Sequence, residues 1–97
     1  MTLLQKFQTV QTLEQLRDFY ITFYSENYNP DLNIDTAIQA FNYGLQGIEY
    51  LDCDTKNIPV SLYNLYDNIN YVGYLVYLYD DLNYVIQYLL ENAEWGE

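Results

Sequence analysis

The chain has 97 residues, of which fourteen are Asp or Glu, three are Lys or Arg and none is His, so its formal net charge at pH 7 is -11. Hydrophobic residues make up 51%, which is typical of a folded chain, and the length predicts one domain spanning residues 1–97. The lack of histidine excludes the Ser-His and Cys-His pairs of nucleophilic enzymes and the usual zinc sites. We therefore predict a non-catalytic protein with no metal and no cofactor.

The charge balance restricts the partners that the chain can bind. Nucleic acid and anionic membrane surfaces would repel it, so neither is predicted as a direct ligand. A basic protein is the predicted partner, because an acidic surface attracts a positively charged protein and speeds the encounter. The same charge also favours solubility in a chain with thirteen tyrosines.

Targeting and redox signals are sparse. Cys53 is the single cysteine, which excludes an internal disulfide, and we interpret it as a structural or incidental residue. The first ten residues do not have the pattern of a secretory leader, and no apolar run is long enough to span a membrane. The expected location is the cytoplasm.

The first strong helix signal lies at Thr12 and Gln15, which have the spacing of a capping box. A helix that begins there places one stripe of residues on a single face: Leu13, Leu16, Tyr20, Phe23 and Asn27. The preceding residues 3–10 predict a short helical turn that packs Leu4 and Phe7 against this helix.

A turn and a second helix follow. The segment 27–31 is rich in turn residues, and its proline predicts a reversal of the chain. Asn33 or Asp35 is the expected cap of a helix with a buried seam of Ile34, Ile38, Phe41, Leu45 and Ile48. Gly44 and Gly47 indicate either a close helix crossing or fraying near the helix end.

The start of this region briefly resembles a calcium-binding loop. Asp31, Asn33 and Asp35 supply oxygen ligands at positions one, three and five of such a loop. Position six is Thr36 where the loop needs glycine, and position twelve is Asn42 where it needs glutamate. We interpret the segment as a turn followed by a helix cap.

The C-terminal half predicts two further helices, about 59–80 and 82–93, with Pro59 in the first turn. Apolar residues recur at helical spacing along them: Leu62, Leu65, Ile69, Val72, Val76, Tyr79, Ile86 and Leu90. The predicted fold is therefore all-α, a small bundle of three to five helices. The alternative is an α+β fold with a C-terminal hairpin in 71–90, since this segment is also rich in aromatic and branched residues.

A stripe of tyrosines runs beside the aliphatic one in this half of the chain. It consists of Tyr63, Tyr66, Tyr74, Tyr77, Tyr84 and Tyr88, with Asn70 and Asp81 in the gaps. Tyrosine can bury its ring and keep its hydroxyl in water, so the stripe fits either the rim of the core or an exposed face for a partner.

These features favour an inhibitor whose carboxylates replace the phosphates of DNA in the basic groove of a nuclease or another nucleic-acid-binding complex. In size, acidity and lack of catalytic residues the chain is similar to phage- and plasmid-encoded anti-restriction and anti-CRISPR proteins, which implies the host cytoplasm as its location. The predicted partner-binding residues are Asp31, Asp35, Glu49, Asp52, Asp54, Asp67, Asp80, Asp81, Tyr74, Tyr77 and Tyr84.

Two other functions fit the same sequence. A toxin or bacteriocin immunity protein would also present acids to a basic nuclease. A structural or adaptor subunit would instead oligomerise through its tyrosine-rich face, which predicts a homodimer.

Overall fold

The computed structural model describes residues 2–52 and 60–92. Within these ranges the chain forms helices joined by short connections, and no strand occurs. The helices are α1 (Leu3–Phe7), α2 (Leu13–Asn27), α3 (Ile34–Leu45), α4 (Val60–Tyr79) and α5 (Leu82–Asn92), with a 3-10 turn at Tyr50–Asp52 between α3 and α4. The all-α prediction is confirmed, and the segment considered for a hairpin forms the end of α4 and most of α5.

Side-chain caps define where the first three helices begin. The Thr12 hydroxyl accepts a hydrogen bond from the Gln15 amide at 3.1 Å, and the Gln15 side chain accepts one from the Thr12 amide at 3.1 Å, so the predicted capping box is confirmed. Thr2 forms the same box at the start of α1. Asn33 caps α3, since its Oδ1 accepts from the Thr36 amide at 3.0 Å.

The contact between α1 and α2 is aromatic. Phe7 is fully buried, and its ring lies 5.1 Å from Phe19 and 6.3 Å from Tyr20 in edge-on geometry. This confirms the predicted packing of Phe7, whereas Leu4 is only half-buried. On α2 the sequence missed Ile21, which is buried beside Tyr20.

The predicted seam of α3 is confirmed at Phe41, and Ile38 and Leu45 are partly buried, but the centre of the buried face lies about a quarter turn away from the prediction. The buried residues are Ala37, Ala40, Phe41 and Gly44, whereas Ile34 is 47% exposed. The small side chains face α4 because the two helices meet there at backbone distance. A Cβ on Gly44 would collide with the Asn70 carbonyl oxygen and lie 2.7 Å from the Tyr74 amide nitrogen. The close crossing predicted for Gly44 is therefore confirmed.

Gly47 has a different role from Gly44, because it ends α3. Its φ of +80° is a left-handed conformation, which glycine adopts without steric cost. The Gly47 amide donates to the Gly44 carbonyl at 2.9 Å, and the Ile48 amide donates to the Tyr43 carbonyl at 2.9 Å. These two bonds form a Schellman cap, so Gly47 terminates the helix.

Two polar contacts fix α4 on α3. The Tyr66 hydroxyl accepts from the Asn33 amide at 2.9 Å, and the buried Asn70 donates from Nδ2 to the carbonyl oxygens of Ala40 at 2.8 Å and Ile48 at 3.0 Å. These bonds satisfy backbone groups at both ends of α3.

The aliphatic stripe predicted along α4 and α5 is confirmed over its first part. Leu62, Leu65, Ile69 and Val72 are buried. Beyond them Leu75 is buried while Tyr79 is 40% exposed, and on α5 the buried residues are Val85 and Leu89, where Ile86 and Leu90 were predicted. On α5 the shift follows the break at Asp80, whose φ of +51° ends α4 and turns the chain before α5 begins. Among the described helices, none combines the length and the apolar composition needed to cross a bilayer.

Candidate partner-binding surface

The acidic residues of the described chain all lie at the surface. Of the fourteen Asp and Glu residues, Asp54, Glu94 and Glu97 lie outside the described residues, and the other eleven are all exposed. The described basic residues are Lys6 and Arg17, and Arg17 forms an ion pair with the neighbouring Asp18 at 3.0 Å. Exposed carboxylates thus greatly outnumber the basic groups that could neutralise them.

The predicted acidic site residues lie in four places. Asp31 and Asp35 lie at the start of α3, Glu49 and Asp52 at the 3-10 turn, Asp67 in the middle of α4, and Asp80 and Asp81 in the connection between α4 and α5. Asp54 falls outside the described residues. They are therefore distributed over the surface, and the structure brings only some of them near one another.

Some of these acids have a structural role at helix ends. The Asp81 Oδ1 accepts from the Tyr84 amide at 3.1 Å, which makes Asp81 the cap of α5. Asp35 lies in the first turn of α3, where the positive end of the helix dipole stabilises a negative charge. The Asp80 amide donates to the Val76 carbonyl at 2.8 Å and closes the end of α4.

The tyrosine stripe is divided between core and surface. Tyr66 is 2% exposed and belongs to the core. Tyr74 is half-buried, with its ring 5.9 Å from that of Tyr77, and Tyr77 and Tyr84 are both about half exposed. The core interpretation of the stripe thus holds for Tyr66, and the exposed-face interpretation holds for Tyr77 and Tyr84.

Sequence reasoning missed two exposed tyrosines. Tyr71 is 52% exposed, and Tyr79, which was predicted to be buried, lies with its ring 4.8 Å from Tyr84 and 6.0 Å from Tyr88. Partial burial, and after it the nearby phenols of Tyr88 and Tyr79, raise the pKa of Tyr71. The signal available in the sequence was spacing, because Tyr71 follows the exposed Asp67 by four residues and so shares its face of α4.

A groove joins part of these residues into one site. It has a volume of about 320 Å³ and lies between α4 and the connection that follows α3. Its lining consists of Glu49, Leu51, Asp67, Asn68, Asn70, Tyr71 and Tyr74. Three predicted residues, Glu49, Asp67 and Tyr74, therefore meet in it. Asp31, Asp35, Asp80, Asp81, Tyr77 and Tyr84 lie elsewhere, and Asp52 follows Leu51 on the 3-10 turn.

A second groove, of about 330 Å³, lies between α1 and α2. Its lining mixes Lys6 with Asp18, Glu26 and the rings of Phe19 and Phe23. The second groove therefore carries both signs of charge, whereas the charged residues that line the first groove are both acidic.

The described acids do not form a metal centre. In residues 2–52 and 60–92 no group of three or more His, Cys, Asp or Glu side chains lies close enough to hold a metal ion. The Asn33 oxygen considered as a calcium ligand accepts the Thr36 amide instead. This segment therefore acts as the helix cap that we interpreted it to be.

Comparison with protein-family models, with curated protein sequences and with solved structures finds no match to this chain. The function is accordingly argued from the described surface and its chemistry.

Proposed function

We propose that this chain is a non-catalytic inhibitor that binds a basic nucleic-acid-handling protein through its acidic surface, as a mimic of DNA. The observation that carries the proposal is the exposure of all eleven described carboxylates on a chain with three basic residues. A basic groove exchanges its counterions for such a surface, as it does for the phosphates of DNA.

The dimensions of the molecule are compatible with this role. Its longest extent is 35 Å, close to one turn of B-DNA, about 34 Å. One such turn carries on the order of 20 phosphates, so the eleven described carboxylates supply about half that charge. Charge therefore supplies the attraction, and uncharged contacts must add to the affinity.

The scaffold favours a fixed arrangement of these charges. Capped helices and the backbone contact between α3 and α4 hold the acids on short, ordered elements, which lowers the entropy lost on binding. A rigid acidic surface also suits a toxin immunity protein, and the identity of the bound partner discriminates between the two functions.

A second candidate function is supported by the exposed rings. Tyr71, Tyr77, Leu78, Tyr79 and Tyr84 are each 40% to 55% exposed on α4 and α5, which fits a subunit that oligomerises through this face. The net charge of -11 opposes self-association at low salt, so we place this function second.

The test is capture of partners from the native host by the tagged chain, followed by binding measurements with the purified partner. We expect a basic nucleic-acid-binding protein whose association rate falls about tenfold or more between roughly 50 and 500 mM salt. DNA should compete with the chain for that partner. Binding that is insensitive to salt, or a partner with no basic surface, would falsify the DNA-mimic proposal. A concentration-dependent dimer with no other partner would support the oligomeric subunit instead.

A further inference from the structure

The second half of α4 carries apolar side chains on its outward side as well as on its packed sides. Residues 71–79 consist only of Tyr, Val, Leu and Gly. Val72 and Leu75 from this segment are buried, whereas Tyr71 is 52% exposed and Leu78 is 55% exposed. A helix that is apolar on all sides is normally covered on all sides, because exposed helix faces usually carry polar residues. The exposed side of α4 therefore indicates an interaction surface.

The spacing of the exposed residues is typical of helix packing. Asp67, Tyr71, Tyr74 and Leu78 follow one another at intervals of four, three and four residues. Alternation of three and four is the spacing with which one helix meets another in a coiled coil. These four residues are the outer face of α4. The outer face is about 17 Å long, or three helical turns, so it fits a partner helix of similar length.

Neighbouring side chains widen the outer face on both sides. Leu51 is 77% exposed and lines the same groove as Tyr71 and Tyr74. On the α5 side, the phenols of Tyr88 and Tyr79 lie close enough to Tyr71 to add to the effect of its partial burial in raising its pKa. The exposed apolar surface is therefore continuous from the connection after α3 to the first turns of α5.

The charges around the outer face determine which partner it can accept. Asp67 belongs to the face, and Asp80 and Asp81 follow its end, all three with exposed side chains. The described basic residues, Lys6 and Arg17, lie in α1 and α2, so α3, α4 and α5 contribute no cation. A helix that carries Lys or Arg beside its apolar stripe complements this surface in both apolarity and charge.

A second copy of this chain fits the outer face less well. The exposed apolar side chains of the face and its borders offer on the order of 500 Å² per copy. Two copies would bury roughly 1,000 Å², below the roughly 1,200 Å² at which stable interfaces begin. Each copy would also bring Asp67 to a surface whose own charges are negative, and the like charges would repel.

We propose that the outer face of α4 binds an amphipathic helix of the basic partner, whose apolar stripe packs on Tyr71, Tyr74 and Leu78. Its Lys or Arg side chains pair with Asp67 and with the acids that follow α4. This inference rests on the proposed function and names the surface that holds the partner. Tyrosine suits such a contact because its ring packs on apolar side chains, and on the aliphatic stems of Lys and Arg, while its hydroxyl stays in water.

The experiment titrates the full isotope-labelled chain with a synthetic peptide of two heptads and follows the backbone amide signals by NMR. The probe has leucine at the first and fourth positions of each heptad and lysine at the others. One control peptide has the same composition with its leucines spread around the helix, and another has glutamate in place of lysine. We expect shifts concentrated at residues 67–79, about tenfold weaker binding of the reordered peptide and no binding of the acidic one. Equal binding of the first two peptides, or shifts centred elsewhere, would overturn the proposal.

Matched variants test the outer face itself. Tyr71→Ala removes a ring from it, and Tyr28→Ala makes the same change at the end of α2, where Tyr28 is 64% exposed. We expect Tyr71→Ala to weaken binding of the probe peptide about fivefold or more and Tyr28→Ala to change it less than about twofold. Circular dichroism checks that both variants fold, and Leu78→Ala, at the other exposed apolar position, provides the same test if Tyr71→Ala does not. Equal effects at the outer face and at Tyr28 would contradict the proposal.

The same variants separate this inference from the proposed function when they are tested on the captured partner. If partner binding depends on salt but is unchanged in both Tyr71→Ala and Leu78→Ala, the outer-face proposal is wrong and the acidic-surface proposal stands. If salt has no effect on partner binding, the acidic-surface proposal is wrong, whatever the outer face binds. A dimer in sedimentation that Leu78→Ala dissociates would assign the outer face to a second copy and overturn the proposal.

Discussion

Helix α4 packs against α3 and against α5 in opposite ways. Against α3 it presents backbone, since a Cβ on Gly73 would collide with the Phe41 carbonyl oxygen just as one on Gly44 would collide with Asn70. Against α5 it presents rings, with Tyr79 lying 4.8 Å from Tyr84 and both rings partly exposed. One side of α4 has no room for an added atom, and the other leaves large side chains in contact with solvent.

The residues of α4 that stabilise the fold and those that are available for binding therefore lie on different sides of the helix. The α3 side fixes the scaffold through backbone contact and buried polar bonds, and substitutions there change the fold. The α5 side and the groove hold exposed acids and tyrosines, which substitutions can alter with little effect on folding. Variants on the two sides should therefore fall into two classes, and three predictions test this division.

The largest expected effect is that of Gly44→Ala. The new Cβ would meet the Asn70 carbonyl oxygen and the Tyr74 amide, and because both are backbone atoms, no side-chain rotation can relieve the clash. We expect the free energy of unfolding to fall by about 3 kcal/mol or more, as in severe overpacking, measured by urea unfolding monitored by circular dichroism. The control is Gln39→Ala on the exposed face of α3, with an effect within about 0.5 kcal/mol. A Gly44→Ala protein as stable as this control would mean that α3 and α4 are not in backbone contact.

This crossing also shows what the sequence could and could not predict about the fold. Helices and caps follow from local rules, so the capping box at Thr12 and the connection before Leu82 were predictable. The buried face of α3 was not, because periodicity follows the largest apolar residues. Here the interior side carries Ala37, Ala40 and Gly44, since a close crossing selects small residues, and Ile34 is exposed.

The sequence predicted the residue types of the candidate site better than it predicted where those residues lie. Charge and missing histidine identified an acidic surface, and exposure of the described acids follows from the cost of burying a carboxylate. The groove depends on tertiary contacts, because it joins Glu49 to Asp67 and Tyr71 across the connection between α3 and α4. Nothing in the sequence indicated that Asn70, placed in the tyrosine stripe, would be buried with its amide bound to α3.

An intermediate effect is expected at the α4–α5 connection, where Asp81 caps α5. Asp81→Ala removes the acceptor for the Tyr84 amide and should lower the free energy of unfolding by about 1 kcal/mol. Asp81→Asn keeps an oxygen in the same place and should leave stability nearly unchanged while removing the charge. Urea unfolding of both variants at neutral pH measures this difference. Equal losses would show that the charge of Asp81, and not its cap, stabilises α5.

The smallest change in stability at neutral pH is expected from substitution of the tyrosines whose pKa is raised. This change grows in alkaline solution. Burial, and after it the neighbouring Tyr24 phenol, raises the pKa of Tyr20 above its usual value, and partial burial raises that of Tyr71. A phenol whose pKa is higher in the folded state than in the unfolded state stabilises the fold in its neutral form. That contribution is complete below about pH 10, the unfolded pKa, and is lost as the pH rises further.

Unfolding midpoints in urea at about pH 9 and about pH 11 measure this loss, and the difference between the two values is compared between variants. Tyr20→Phe should reduce the difference more than Tyr71→Phe does, because Tyr20 is 9% exposed and Tyr71 is 52% exposed, so water stabilises the Tyr71 phenolate far better. The reverse order would place the poorly hydrated phenol on the α5 side of α4 and would contradict the assignment of that side to the surface.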